Sequence, residues 1–143
     1  MELIDAYNEL KALNLSEKFA RLLAAQAAFE TGNFKHPNFT QNNNPGGIMY
    51  INKGYQKDSV PGFPFPSNES KTAKYAKFGT RASGWRDMVR ITYPYLTKAT
   101  TPENYASILF AGGYYKGDQS IYAKNLRFFW NQLDAELKKK ALI

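Results

Sequence analysis

The 143-residue chain has no cysteine, which excludes a thiol nucleophile, a zinc–thiolate site and a disulfide framework. Both oxidising and reducing compartments accept such a chain, so this absence does not locate the protein. Histidine occurs once, as His36 in Lys35-His36-Pro37. A metal site would lack a second nitrogen ligand, and a Ser-His-Asp arrangement would need a histidine that stands beside a positive charge, with no G-x-S-x-G elbow nearby. No metal and no cofactor are expected. Asn44-Pro45-Gly46-Gly47-Ile48 lacks the Lys and Ser/Thr of a phosphate loop. No stretch approaches the roughly 18 apolar residues of a membrane span. Residues 1–8 have neither the basic nor the apolar region of a signal peptide. The expectation is that a leader was removed, or that delivery is by lysis, on a phage particle, or within a larger chain.

What is present is positive charge and aromatic surface. The net charge is +7 and the pI about 9.5, which points to a polyanionic partner: nucleic acid, an anionic membrane or a cell-wall polymer. Ten Tyr and ten Phe suit a groove that stacks on sugars or bases. Mean hydropathy is −0.52 and 43% of residues are hydrophobic. That composition describes a globular chain, long enough for one domain over 1–143 with a single core.

Leu3, Tyr7 (or Ala6), Leu10 and Leu13 share a face of a short helix over 3–13. Ser16 is a good N-cap for a central helix running to about Thr31. Residues 33–70 then hold five of the seven prolines and Asn42-Asn43-Asn44-Pro45-Gly46-Gly47. That is loop and turn chemistry, with short strands expected at Ile48–Asn52 and Ala73–Phe78. An irregular segment of this length usually has a functional task, such as forming one lobe of a cleft. Helix returns near Ser83–Tyr93, with Trp85, Met88, Val89 and Thr92 on one face and Pro94 expected to end or kink it. Thr101-Pro102-Glu103 opens the next helix, which Gly112-Gly113 stops. After the Tyr114–Asp118 loop, one or two helices run from about Gln119 to Lys140, with Tyr122, Leu126, Phe129, Trp130 and Leu133 inward.

The central helix carries the candidate chemistry. Phe19–Phe29 is apolar nearly all round, broken only by Arg21 and Gln26. Gly32 is a natural stop, so Glu30 falls in the last turn, where the helix dipole disfavours negative charge. Its apolar neighbours Ala27, Ala28 and Phe29 add desolvation, which raises a carboxylate pKa. A carboxyl held neutral is what a general acid needs. The plain alternative is a surface glutamate at a helix end. With metal, thiol and triad chemistry set aside, glycoside cleavage fits, Glu30 protonating the leaving oxygen.

These residues resemble the glucosaminidase-type peptidoglycan hydrolases, glycoside hydrolase family seventy-three, with its mannosyl-glycoprotein endo-β-N-acetylglucosaminidase-like domain. Gln26-Ala27-Ala28-Phe29-Glu30-Thr31-Gly32 is similar to that family's Q-A-A-L-E-S-G-W stretch, which ends with the catalytic Glu. Asn43-Asn44-Pro45-Gly46-Gly47-Ile48-Met49 resembles its N-N-x-F-G-I-K turn, with Gly46 where an aromatic is usual. Tyr75–Ser83 is similar to its F-R-x-Y-x-S strand, and Gly112–Tyr115, Asp118 and Tyr122–Leu126 to G-G-Y-A-T-D-P-x-Y-A-x-K-L. Four blocks in order cover about residues 20–126.

The resemblance implies an α+β, mostly helical, lysozyme-like fold: a helical body with a small irregular or β-hairpin lobe flanking a sugar-binding cleft. It implies cleavage after N-acetylglucosamine in peptidoglycan, with Glu30 as general acid. Tyr114 stands where the family keeps a tyrosine near the reacting sugar, and Tyr115 is its substitute if the loop insertion shifts the register. Asn44, Gly47, Tyr75, Phe78, Tyr115 and Tyr122 form the expected substrate-binding set, with Asn44 and Gly47 shaping the turn that braces the cleft. Glu69 is the candidate second carboxylate, Asp58 being the other acid of the lobe. An inverting enzyme would set the pair about 6.5–9.5 Å apart and a retaining one about 5 Å. Alternatively, the substrate's N-acetyl group attacks, oriented by Tyr114.

Rival readings are a lytic transglycosylase or muramidase on the same fold, a non-catalytic wall-binding module of a phage particle, and a nucleic-acid binder. The last fits poorly, because Lys and Arg are spread along the chain and do not line one helix. The expected partner is the peptidoglycan glycan strand, with no nucleic acid and no membrane insertion. The protein is expected at the bacterial cell wall, as a monomer or one module of a larger assembly.

Overall fold

The computed structural model describes residues 1–67, 70–141 and 143. In order, its elements are α1 (Leu3–Lys11), α2 (Glu17–Glu30), α3 (Pro37–Asn42), β1 (Ser59–Ser67), β2 (Ser70–Phe78), α4 (Arg81–Leu96), α5 (Pro102–Ala111) and α6 (Gln119–Lys139). β1 and β2 form a two-stranded antiparallel hairpin. This is the mostly helical α+β architecture that the sequence predicts. None of the described helices is long and apolar enough to cross a membrane. The chain divides into two compact units, residues 1–29 with 92–143, and residues 30–91.

In the first unit, α2 is buried on every side from Ala20 to Ala28. Ser16 starts it as expected, its hydroxyl accepting from the Phe19 N–H at 3.2 Å. Five alanines let neighbouring elements approach closely. Leu3, Ala6, Tyr7 and Leu10 of α1, Tyr105 and Leu109 of α5, and Tyr122, Leu126, Leu133 and Leu137 of α6 complete the apolar core. Each fully buried leucine contributes about 1.5–3 kcal/mol relative to exposure.

The two polar interruptions of α2 are both partnered. Arg21 pairs with Glu17 at 3.2 Å and with Asp134, its guanidinium 3.9 Å from the Trp130 ring centre. Gln26, with no exposed surface, takes a hydrogen bond from Tyr105 Oη at 2.6 Å and donates to Tyr122 Oη at 3.2 Å. A buried amide so satisfied fixes the register of three helices without an orphan polar group. Thr101 caps α5 as expected, accepting from Asn104 N–H at 3.0 Å.

The second unit corrects the sequence reading in three places. Ile48–Asn52 is no strand: it makes a single bridge, Met49 to Tyr75. The true partner of β2 is Ser59–Ser67, which holds Pro61, Pro64 and Pro66. Prolines argue against a strand because each lacks a ladder donor, but an edge strand leaves donors unused anyway. The register accordingly slips between Pro61 and Ser67. A six-residue helix, α3, also escaped the reading. Its cap is His36, whose Nδ1 accepts from Asn38 N–H at 3.0 Å, with Pro37 at the first helical position.

Pro94 lies inside α4, which continues to Leu96. Only one further turn is needed past the proline, and Tyr93, Tyr95 and Leu96 carbonyls close it by accepting from Thr97, Lys98 and Ala99. The single last helix runs unbroken to Lys139, capped at its start by Asp118, which accepts from Ile121 N–H at 3.1 Å.

Candidate active site

Glu30 is the final residue of α2 and is half-buried, with no basic residue in that helix's last turn. The chain turns sharply after it. Gly32, Asn33 and Phe34 all take left-handed backbone angles, φ +56°, +60° and +67°. A phenylalanine there costs on the order of 1 kcal/mol, and its surroundings offset that cost. The Phe34 N–H donates to Thr31 Oγ1 at 2.8 Å, and its buried ring packs on Phe39 at 5.3 Å between centres. The Thr31 carbonyl accepts from both Lys35 and His36 N–H, at 3.1 and 3.0 Å. The backbone following the candidate acid is therefore held by local bonds and by a buried ring, as a preorganised site requires.

The residue before it is anchored in the first unit. Phe29 meets the Tyr122 ring edge-on at 4.9 Å. Tyr115 lies flat against Tyr122, centres 3.8 Å apart and planes 7° off parallel, and its hydroxyl donates to the Ala106 carbonyl at 2.8 Å. Burial, followed by the nearby Asp118 carboxylate, pushes the Tyr115 phenol above its ordinary range.

The preceding turn explains the position of both tyrosines. α5 ends in a Schellman motif: Gly113 N–H donates to Phe110 O, and Tyr114 N–H to Leu109 O, with Gly113 at φ +77°. Tyr114 leaves this motif half-buried, its ring at 6.4 Å from that of Tyr95. The two adjacent tyrosines thus have different surroundings. Tyr115 packs on the last helix, while Tyr114 sits on the rim of the loop.

Asn44, with no exposed surface, staples the turn over 43–49 to the hairpin. Its Nδ2 donates to Ile48 O at 2.7 Å and Ala76 O at 3.0 Å, and its Oδ1 accepts from Gly46 and Ile48 N–H at 3.3 and 2.9 Å. Asn43 Nδ2 adds a bond to Phe78 O at 2.9 Å. Gly47 takes φ +64° in this turn, and Tyr75, half-buried, stands on β2 beside it. The space that a side chain at Gly46 would enter is filled by buried Met88, 3.3 Å from where a Cβ would lie.

Three members of the expected substrate-binding set have most of their surface committed within the fold. Asn44 spends its whole amide on backbone groups. Phe78 is 1% exposed and Tyr122 5%, too little surface to offer a sugar. Asn44 braces its turn as expected, and Phe78 and Tyr122 are each buried. Tyr115 is committed to Tyr122 and to Ala106. Gly47, Tyr75 and Tyr114 keep accessible surface.

Of the candidate second carboxylates, Glu69 lies outside the described residues. Asp58 closes the hairpin on α4: its Oδ2 accepts from Ser83 Oγ at 2.9 Å, and the carboxylate covers Gly79 so closely that a Cβ there would come within 2.6 Å. Among the described residues no group of three or more His, Cys, Asp or Glu could hold a metal ion.

One polar cluster had no counterpart in the sequence reading. Asp87, 3% exposed, accepts from Arg90 Nε at 2.6 Å and from Gln56 Nε2 at 3.1 Å. The only local trace was the i,i+3 spacing of Asp87 and Arg90. Gln56, thirty-one residues before Asp87, gave no signal.

A family model described as glucosaminidase, mannosyl-glycoprotein endo-beta-N-acetylglucosaminidase, matches residues 6–135. No curated protein and no solved structure matches the chain.

Proposed function

The chain belongs to the glucosaminidase family, and from that premise we propose that it is an endo-β-N-acetylglucosaminidase acting on the glycan strands of peptidoglycan. The match runs through both compact units, which supports reading residues 1–143 as one lysozyme-like glucosaminidase domain. The observation that carries the mechanism is the position of Glu30: last residue of a buried helix, half-buried itself, with a turn locked by Thr31 and Phe34 behind it. The helix dipole disfavours negative charge at a helix C-terminus, which supports reading the Glu30 carboxyl as the proton donor. In that role Glu30 gives its proton to the glycosidic oxygen as the bond to the sugar breaks and positive charge grows on the ring.

The positive charge needs a partner. Glu69 is one candidate, as nucleophile or as base; the substrate's own N-acetyl oxygen is the other, with Tyr114 orienting it. Tyr114 is half-buried on a loop held by a Schellman motif, in keeping with such a role, and Tyr115 donates its hydroxyl to Ala106. Asn44, Gly47 and Tyr75 support the reading by giving the hairpin a fixed edge.

The +7 charge suits a polyanionic wall, raising local substrate concentration at low salt. The protein then works at the bacterial cell wall, alone or as one module of a phage or wall-degrading assembly. The test is product analysis after incubation with purified sacculi. Fragments one water heavier, with N-acetylglucosamine at the new reducing end, support the proposal. Anhydro sugars would make it a lytic transglycosylase, and new muramic acid reducing ends a muramidase.

A further inference from the structure

The second unit contains a cavity of about 180 Å³ lined by Tyr55, Lys57, Ser83, Arg86, Asp87 and Arg90. We propose that it is an anion subsite that takes a free carboxylate of the peptidoglycan stem peptide, an inference that rests on peptidoglycan being the substrate.

Three cations face one carboxylate here, and that carboxylate is occupied. Asp87 Oδ1 takes Arg90 Nε at 2.6 Å and Oδ2 takes Gln56 Nε2 at 3.1 Å. Gln56, 5% exposed, is itself fixed: Nε2 also donates to Met49 O at 2.9 Å, and Oε1 accepts from Ile51 N–H at 3.0 Å. On the outer side the Arg90 guanidinium lies 4.7 Å from the centre of the Tyr55 ring. The guanidinium is thus clamped between a buried acid and an aromatic face, its rotamer entropy already spent.

Arg86, one helical turn before Arg90, and Lys57 are exposed, and among the described residues neither has a hydrogen-bond or ion-pair partner. The cavity wall is left with a surplus of two positive charges. A guanidinium fork matches the two oxygens of a carboxylate.

Size selects an end group. Small-molecule pockets typically enclose about 300–1,000 Å³, so this one is too small for a sugar unit and fits a carboxylate with its neighbouring carbons. Tyr55, 55% exposed, offers those carbons an apolar surface. Contact with the stem peptide would give the enzyme a hold on its polymer apart from the glycan.

The experiment is an NMR titration of ¹⁵N-labelled protein with a stem tripeptide bearing free carboxylates, with its fully amidated form, and with glycerol phosphate. The free tripeptide is expected to shift the signals of Tyr55, Arg86 and Arg90. Amidation, Arg86→Gln and Lys57→Gln should each weaken binding about tenfold. Both substitutions are at exposed positions, so the fold is retained and unchanged spectra elsewhere verify it. Absence of shifts at these residues, equal binding of the amidated peptide, or unchanged affinity in both variants would overturn the proposal. Tighter binding of glycerol phosphate at the same residues would overturn the carboxylate assignment and make the site one for phosphate-bearing wall polymers. Peptide binding requires no glycan cleavage. Binding without any digestion of sacculi would defeat the proposed enzyme and keep the subsite, and digestion without binding would do the reverse.

Discussion

The rings of Tyr115 and Tyr122 lie face to face, 3.8 Å between centres and 7° from parallel, and the second ring also receives the edge of Phe29. The residue before the candidate acid is thereby tied to α6 and to the loop after α5. Tyr115→Phe keeps the stack and removes only the bond to the Ala106 carbonyl. It should cost about 1 kcal/mol in urea unfolding with turnover little changed. Tyr114→Phe should lower turnover on sacculi at least tenfold while the circular dichroism spectrum is unaltered. Equal effects of the two substitutions on turnover would remove the distinction drawn between them.

The raised Tyr115 phenol has a pH consequence. Burial first, then Asp118, favours its protonated form in the folded state. The stability it contributes is complete below the ordinary tyrosine pKa of about 10 and is lost as pH rises through the raised folded value. Ultraviolet titration should show Tyr115 ionising late, as Tyr7 does through its own burial, and Asp118→Asn should bring the Tyr115 component alone part of the way back. Identical titration curves for wild type and Asp118→Asn would contradict the assignment.

At the acid end the sensitive pair is Glu103 of α5 with Arg127 of α6, a two-pronged contact at 2.7 and 2.6 Å. The hydrogen bond from Arg127 holds the Glu103 carboxyl below its usual range. A depressed folded pKa contributes stability above the unfolded value, and this is lost as pH falls through the folded one. Both side chains are substantially exposed, so the worth is small, about 0.2–1 kcal/mol. Glu103→Gln should lower stability by that amount near neutrality and make the difference from wild type vanish at low pH. A constant difference across the acid range would count against the pair.

Gly84 of α4 meets the backbone of the turn that Asn44 organises. A Cβ there would stand 2.0 Å from the Asn43 carbonyl oxygen, and backbone cannot step aside as a flexible side chain can. Gly84→Ala, ordinarily favourable in a helix, should instead destabilise by about 1–3 kcal/mol or more. A thermal midpoint at or above that of wild type would show that the contact is not tight.

Local chemistry was readable wherever it was strong. Ser16, Thr101-Pro102-Glu103 and Gly112-Gly113 each marked a helix boundary because capping needs only neighbouring residues. For the same reason Gly32 gave away the helix end that carries Glu30. The hairpin was misplaced because Pro61, Pro64 and Pro66 look like loop, and only their position on an edge strand makes them tolerable. α3 was too short for a hydrophobic period to register. The helical period marked Tyr122 as inward, and it is 5% exposed; nothing local marked the burial of Phe78, since an aromatic in a motif block looks the same whether it faces a groove or a core. The Gln56–Asp87–Arg90 cluster depends on a contact between residues thirty-one apart, for which no local pattern exists.

The most direct test is the turnover of purified sacculi by Glu30→Gln beside wild type, at equal protein concentration and with unfolding curves recorded for both. General acid catalysis contributes on the order of 10²–10⁴ in rate. The amide, nearly the same shape and unable to give up a proton, should therefore lose at least a hundredfold while folding as well as wild type. A folded Glu30→Gln protein that digests sacculi within a few-fold of the wild-type rate would contradict the proposed role of this carboxyl.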